Sequence, residues 1–250
     1  MKQNRYNKMK NKTAIFLTVC DRFDETIKSI RSIFKYTENF DLYIYDMASS
    51  DKRLFGYYRY LIISNSSVTV FRYDQISLDS YDVYWSKNYA WNNFIKKVAP
   101  DYKHVVMMDN DIAISKNNWL SNSIDLLNDD GISIVSPYDC SPKYESLHIA
   151  GNYVFNVCGY EVYLRYNVVS RLWIAKSSYF INHDLPSYKL ITRNKNLDRM
   201  PTDWYYWQIL KKENKFIAVF KNPYAGNVSN KTKSKRTEKG IGDDSRNQRL

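Results

Sequence analysis

A doubly wound α/β architecture, a mostly parallel sheet with helices on both faces, is predicted by three features of this 250-residue sequence. Short apolar runs alternate with stretches of helical periodicity as far as Met108, the pattern of strand–helix–strand units. Acidic and small polar residues directly follow three of those runs, where open sheets of this type bind ligands. The composition, 44% hydrophobic and 25% charged with only seven Gly and six Pro, supports a sizeable core and excludes low-complexity architectures.

Thr13–Val19 is an apolar run too short for a helix and reads as a first buried strand. Asp24–Tyr36 places Ile27, Ile30, Ile33 and Phe34 on one helical face. Leu42–Tyr45 is a second strand, followed by a polar turn at Ala48–Lys52, a helix over Leu54–Ser64 and a short strand at Val68–Tyr73. Trp85–Val98 is amphipathic and ends at Ala99-Pro100, and His104–Met108 is the next apolar strand. Beyond residue 115 the pattern changes. A helix over Trp119–Leu127, a strand at Ile132–Pro137 and one or two aromatic-rich strands within Tyr153–Tyr166 are expected, then an irregular loop over 182–201. A helix over Trp204–Glu213 and a last strand at Phe216–Phe220 follow, and the final thirty residues lose hydrophobic periodicity, as a tail does.

The net charge of +11 is concentrated at the ends. Residues 1–12 carry five bases and no acid, residues 221–250 carry eight bases against three acids, and the body between them is nearly neutral. Such ends are either solvated or grip the phosphates of a nucleotide, a nucleic acid or an anionic membrane. Lys-rich residues 1–12 ahead of Ala14–Cys20 imitate a signal peptide, but the apolar run is minimal, contains Thr18 and has bulky Val19 before the cysteine, so a buried strand is expected instead. No eighteen-residue apolar stretch exists to form an integral membrane segment. Cys20, Cys140 and Cys158 match neither a disulfide framework nor a zinc site, which favours a reducing compartment. Aromatics at 16% exceed what the core requires and point to a surface where sugars, bases or partners stack.

The sharpest chemical signal is Asp109-Asn110-Asp111, because two carboxylates two residues apart at a strand end can reach one hard divalent ion and leave sites for a diphosphate. An ordinary acidic turn is the alternative. No glycine-rich dinucleotide loop or P-loop occurs in the sequence, so the phosphates of any nucleotide would fall to a metal, Mn²⁺ or Mg²⁺. His104, His148 and His183 are isolated and fit surface or core roles.

The fragments TVCDRFDETIKSIRSIF, YIYDMASSD, SKNYAWNNFIKK, VVMMDNDI and PTDWYYWQILKKENKFIAVFKNPYAGNVS, in this order, resemble nucleotide-sugar-dependent glycosyltransferases of the GT-A fold. The likeness is greatest to the family-2-like group, spans about residues 13–228, and includes a DXD motif. It implies a nucleotide-sugar-binding part over 13–115, an acceptor-binding and catalytic part over 116–228, and a basic tail over 229–250, within one GT-A domain.

The resemblance also implies roles. Thr18, Val19 and Asp21 would lie against the nucleotide base and ribose, and Asp46 would accept a base N–H, which makes uracil the default. Lys87 and Asn88 stand where relatives often have an Arg-Asn pair beside the nucleotide. Asp109 would touch the ribose or a metal-bound water, Asp111 would ligate the metal, and Asp203 would be the catalytic carboxylate that takes the acceptor's proton in an inverting enzyme. Helix capping is the competing role for Asp46, Asp51, Thr202 and Asp203. Where many relatives carry a metal-binding histidine, this chain reads Pro223-Tyr224-Ala225-Gly226-Asn227. The third ligand is then absent, is Asn227, or is replaced by tail cations such as Lys233 and Arg236.

The implied partner is a nucleoside diphosphate sugar, with UDP the default nucleotide. Basic ends and surplus aromatics tilt the acceptor toward a hydroxymethylated base in duplex DNA, against a surface glycan, lipid-linked sugar or protein. Richness in Lys, Asn, Ile and Tyr suggests an AT-rich genome, of a phage, giant virus or low-GC bacterium, and the reducing compartment favoured by the cysteines suggests a cytoplasmic location, the host's for a virus. A fold kept only to bind nucleotide sugar, glycan or nucleic acid is the non-catalytic alternative.

Overall fold

The computed structural model describes residues 12–73, 83–138, 153–166, 168, 170–183, 185 and 202–228, with the backbone alone for 83–86. Strand β1 (Thr13–Val19) lies at the centre and all seven of its residues are buried. Burial on both faces explains its unbroken apolar run. Ile15, Leu17 and Val19 join one core with α1 (Phe23–Tyr36) and α2 (Lys52–Ser64), while Ala14 and Phe16 join a second with α3 (Val83–Lys97). Phe16 meets Trp91 and Phe94 of α3 at ring-centroid distances of 5.1 and 5.2 Å. Burying one such ring contributes roughly 1.5–3 kcal/mol, so the sheet and its helices are held chiefly by these two apolar layers.

Strands β2 (Phe40–Asp46) and β4 (His104–Asp109) flank β1 in parallel, and β3 (Val68–Arg72) continues the parallel order beyond β2. The in-register pairs Val19↔Asp46 and Thr18↔Asp109 bring the carboxyl ends of β1, β2 and β4 to one edge of the sheet. The predicted helices match observed ones to within two residues at each end, and among the described residues a further helix, Ser177–Asn182, was not predicted.

The remaining described elements are β5 (Ile112–Ile114), α4 (Trp119–Leu126), β6 (Ile132–Ser136), β7 (Phe155–Val157), β8 (Tyr160–Arg165), β9 (Leu172–Lys176), α5 (Ser177–Asn182), α6 (Thr202–Glu213), β10 (Phe216–Phe220) and β11 (Ala225–Asn227). Among the described residues the main sheet has nine strands in the order β3-β2-β1-β4-β9-β6-β10-β8-β7. The 13–115 and 116–228 parts share this sheet. β9 runs antiparallel to both β4 and β6, so a late segment is wedged beside the parallel half and carries its preceding residues to the end of β4. Sequence periodicity assigns no strand there, because β9 is a short apolar run whose partners lie far away in the chain. A separate ribbon pairs β11 with β5 and places Asn227 opposite Ile112.

The histidines divide as their surroundings dictate. His104 is buried, and burial together with the charges of Lys103 and Lys176 lowers its pKa to about 4. His183 pairs with Glu213 at 2.8 Å. Cys140, His148 and most of the expected 182–201 loop lie outside the described residues.

Candidate active site

The turn that follows β1 is built from two successive left-handed residues, Asp21 at φ 55° and Arg22 at φ 59°. Neither is glycine, so each costs on the order of 1 kcal/mol and must be held by its surroundings. One Asp21 carboxylate oxygen accepts the backbone N–H groups of Ser50 and Asp51, at 2.6 and 3.1 Å, and the Ser50 hydroxyl. The Asp21 N–H donates to Ser49 Oγ, and the Asn110 amide donates to the Asp21 carbonyl and to Thr26 Oγ1. The Arg22 carbonyl accepts the Thr26 N–H and so opens α1. This network fixes where the Arg22 side chain starts.

Asp46, at the end of β2, is completely buried. Its two oxygens accept the Ser49 N–H at 2.7 Å and the Tyr58 hydroxyl at 2.8 Å. Burial raises its pKa, against the opposing pull of those two donors and the charge of Arg72. Asp51 caps α2 by accepting the Arg53 N–H. The Val19 side chain packs in the apolar core while its carbonyl accepts the Met47 N–H. Asp21 and Asp46 therefore shape the β1 and β2 turns from within.

The opposite arrangement holds between β4 and β5. Asp109 Oδ1 accepts the Lys87 ammonium at 2.6 Å and the Thr18 hydroxyl at 3.4 Å, and Lys87 also reaches the Ser170 carbonyl at 2.9 Å. Asp111 Oδ2 accepts from Arg22 at 2.9 Å, with Arg171 in ion-pair range at 3.7 Å. Arg171 also donates to Asn227 Oδ1 at 2.7 Å. Backbone bonds tie the group together: Asp109 N–H to the Arg171 carbonyl, and Val228 N–H to the Asp111 carbonyl. Asp203 stands partly buried in the first turn of α6. Burial raises its pKa, the backbone N–H groups of Asp203 and Trp204 and the Lys87 charge oppose that, and the Asp109 charge adds to it. Thr202 Oγ1 donates to Asn88 Oδ1 at 2.9 Å and so fastens the start of α6 to α3.

Thr18, Lys87, Asp109, Asp111 and Asn227 thus come together, Asp203 lies within electrostatic reach, and Asn88 faces α6. Lys233 and Arg236 lie outside the described residues. Arg22 and Arg171 received no role from sequence. Arg22 was visible as a base at the end of the first strand; Arg171 precedes a strand that periodicity does not reveal.

The oxygens of Asp109, Asp111 and Asn227 are of the type that hard divalent ions prefer. In the observed arrangement, however, Asp109 Oδ1 and Asp111 Oδ2 each meet a cationic side chain and Asn227 Oδ1 accepts from Arg171. Among the described residues no three His, Cys, Asp or Glu side chains come together as a metal site. This donor set, as placed, does not fit a resident divalent ion.

No protein-family model matches the sequence, and no curated protein matches it. Solved structures do match. Residues 1–349 of S. aureus TarS in complex with UDP-GlcNAc align over 89% of this chain and 60% of that one, at 13% identity and a TM-score of 0.54. The mannosyltransferase PcManGT from Pyrobaculum calidifontis, in complex with GDP-Man and Mn²⁺, aligns over 87% and 60%, at 14% identity and a TM-score of 0.55. The chain thus spans about three fifths of these matched structures. Its fold is that of the GT-A glycosyltransferases, with the parallel order β3-β2-β1-β4 forming one half of the main sheet. Among the described residues no helix is long and apolar enough to cross a membrane.

Proposed function

We propose that this chain is a glycosyltransferase that moves a sugar from a nucleoside diphosphate donor to an acceptor hydroxyl. The observation that carries the reading is the meeting of Asp109, Asp111 and Lys87 at the carboxyl edge of a GT-A sheet, with Asp203 nearby on α6. Matched proteins of this fold hold UDP-GlcNAc and GDP-Man. UDP is the first donor to test, with Thr18 and Asp109 on the ribose side and the Asp21 and Asp46 turns shaping the wall behind the base.

In the proposed inverting reaction the acceptor oxygen bonds to the anomeric carbon as its proton passes to Asp203, and the bond from that carbon to the diphosphate oxygen breaks, its electron pair leaving with the diphosphate. A carboxylate whose pKa is raised by burial is a stronger base than an exposed one, which suits this task. The Mn²⁺ or Mg²⁺ expected from sequence enters no step, because the donor set as placed does not fit it.

For the acceptor, Trp204 adjoins Asp203, is 40% exposed, and lies 6.0 Å from the Trp207 ring. That aromatic face suits stacking of a base or a sugar ring. A hydroxymethylated base in duplex DNA is the first acceptor proposed, on the strength of the basic sequence ends. Surface glycans, lipid-linked sugars and proteins are the other arms of the test. Donor screening by nucleotide release, with mass spectrometry of acceptors from each class, decides the matter. Release that increases with one acceptor class and disappears in Asp203→Asn is the expected result. Nucleotide binding without turnover on any donor would overturn the enzyme reading in favour of the non-catalytic binder.

A further inference from the structure

Three cations from distant parts of the chain converge on the β4–β5 turn. Arg22 comes from the strained β1 turn, Lys87 from α3, and Arg171 from the residue just ahead of β9. Each is anchored by backbone: Arg22 by the bonds that fix its turn, Lys87 by the Ser170 carbonyl, and Arg171 through its own carbonyl, which receives the Asp109 N–H.

Arg22 and Arg171 approach the same atom, Asp111 Oδ2, at 2.9 and 3.7 Å, so one oxygen faces two guanidinium groups and bonds only the nearer. A guanidinium offers five N–H donors in a rigid fork suited to phosphate. Two such groups directed at one carboxylate place a pair of forks where both would meet an incoming dianion. Asn227 Oδ1, which the sequence resemblance offers as a third metal ligand, is already bonded to Arg171.

We infer that Arg22 and Arg171, assisted by Lys87, form the clamp for the donor's diphosphate, and that a nucleoside diphosphate binds this protein without a divalent ion. The inference rests on the nucleotide-donor reading. It moves the task that sequence gave to a metal, or to Lys233 and Arg236, onto side chains fixed at the sheet edge. When the sugar–oxygen bond breaks, the charge gathering on the departing diphosphate would meet two preorganised forks.

The test is calorimetric titration of the full chain in EDTA with uridine, UDP, guanosine and GDP, repeated with Mn²⁺. The matching diphosphate should bind at least about tenfold more tightly than its nucleoside in EDTA. Arg22→Gln and Arg171→Gln should each weaken diphosphate binding by about 10–100-fold while nucleoside binding stays within about twofold. Lys221→Gln, which removes only the pairing to Glu161, should change neither. Should the glutamine variants lose nucleoside binding as well, Arg22→Lys and Arg171→Lys carry the test, with an expected loss of about 3–10-fold because charge remains but the fork does not. Equal nucleoside and diphosphate affinity in EDTA, or a diphosphate preference that survives the arginine substitutions, overturns the clamp. Failure of every nucleoside and nucleotide to bind, with or without Mn²⁺, overturns the donor reading itself.

Discussion

Two pairs of carboxylates sit at the same edge of the same sheet, and they are satisfied in opposite ways. Asp21 and Asp46 accept from backbone N–H groups of the β2–α2 turn and from Ser50 and Tyr58 hydroxyls, partners that belong to the fold. Asp109 and Asp111 accept from Lys87 and Arg22, cationic side chains of the kind that also bind phosphate. A carboxylate held by backbone and hydroxyl donors belongs to the frame, whereas one held by cationic side chains belongs to the proposed site. Sequence position alone does not separate the two, since all four follow a buried strand.

The largest effect that would sharpen this contrast is expected at Asp203, outside both pairs. Asp203→Asn should lower turnover by roughly 10²–10⁴ while leaving nucleotide affinity within a few-fold. Because burial raises the Asp203 pKa and the base must be ionised, the acidic limb of the turnover–pH profile should lie above the ordinary carboxylate range and vanish in the variant. A retained limb would assign it to another group.

Next come the two pairs themselves. Asp46→Ala leaves the Tyr58 hydroxyl and Ser49 N–H buried without their acceptor, at a cost of roughly 2–3 kcal/mol, seen as a melting temperature lower by roughly 4–12 °C. Asp111→Asn should leave the melting temperature nearly unchanged, since its ion pairs are partly exposed, yet lower turnover by roughly 10–100-fold as the guanidinium forks lose their aim. If the two variants exchanged phenotypes, the distinction between frame and site would collapse.

Smaller effects mark the frame side. Asp51→Ala removes the α2 cap and should cost about 1 kcal/mol without altering turnover. For His104, folding holds the pKa at about 4, below its ordinary 6.5, so the unfolded chain takes up a proton first as pH falls. Its contribution is therefore present above about pH 6.5 and lost progressively toward pH 4. His104→Gln should make the melting temperature fall less steeply over that window, and an unchanged slope would show that other groups set it.

The parallel half was legible because its signals are local: two-sided burial leaves an unbroken apolar run in β1, and one-sided burial leaves the helical spacing of Ile30 and Ile33 in α1. The positions of Asp109, Asp111 and Lys87 at the ends of such elements were legible for the same reason. β9 was not, because its place between β4 and β6 is set by pairing across long stretches of chain. Arg171 was hidden with it. Arg22 was visible as a base at a strand end, but its reach to Asp111 was not, because it depends on a left-handed backbone that Arg rarely adopts and no local pattern encodes it.

That backbone carries a consequence for anyone who evolves the protein. Glycine at position 22 would adopt φ 59° without steric penalty, so a library selected only for heat resistance has a reason to enrich it. The same exchange would erase one fork of the proposed clamp. Ala48, at φ 55° in the neighbouring turn, presents the same opportunity with no side-chain polar group to lose. Sequencing the survivors of such a selection with and without a nucleotide-binding screen would reveal, as glycine accepted at 48 but refused at 22, how much folding stability the proposed hold on a donor costs.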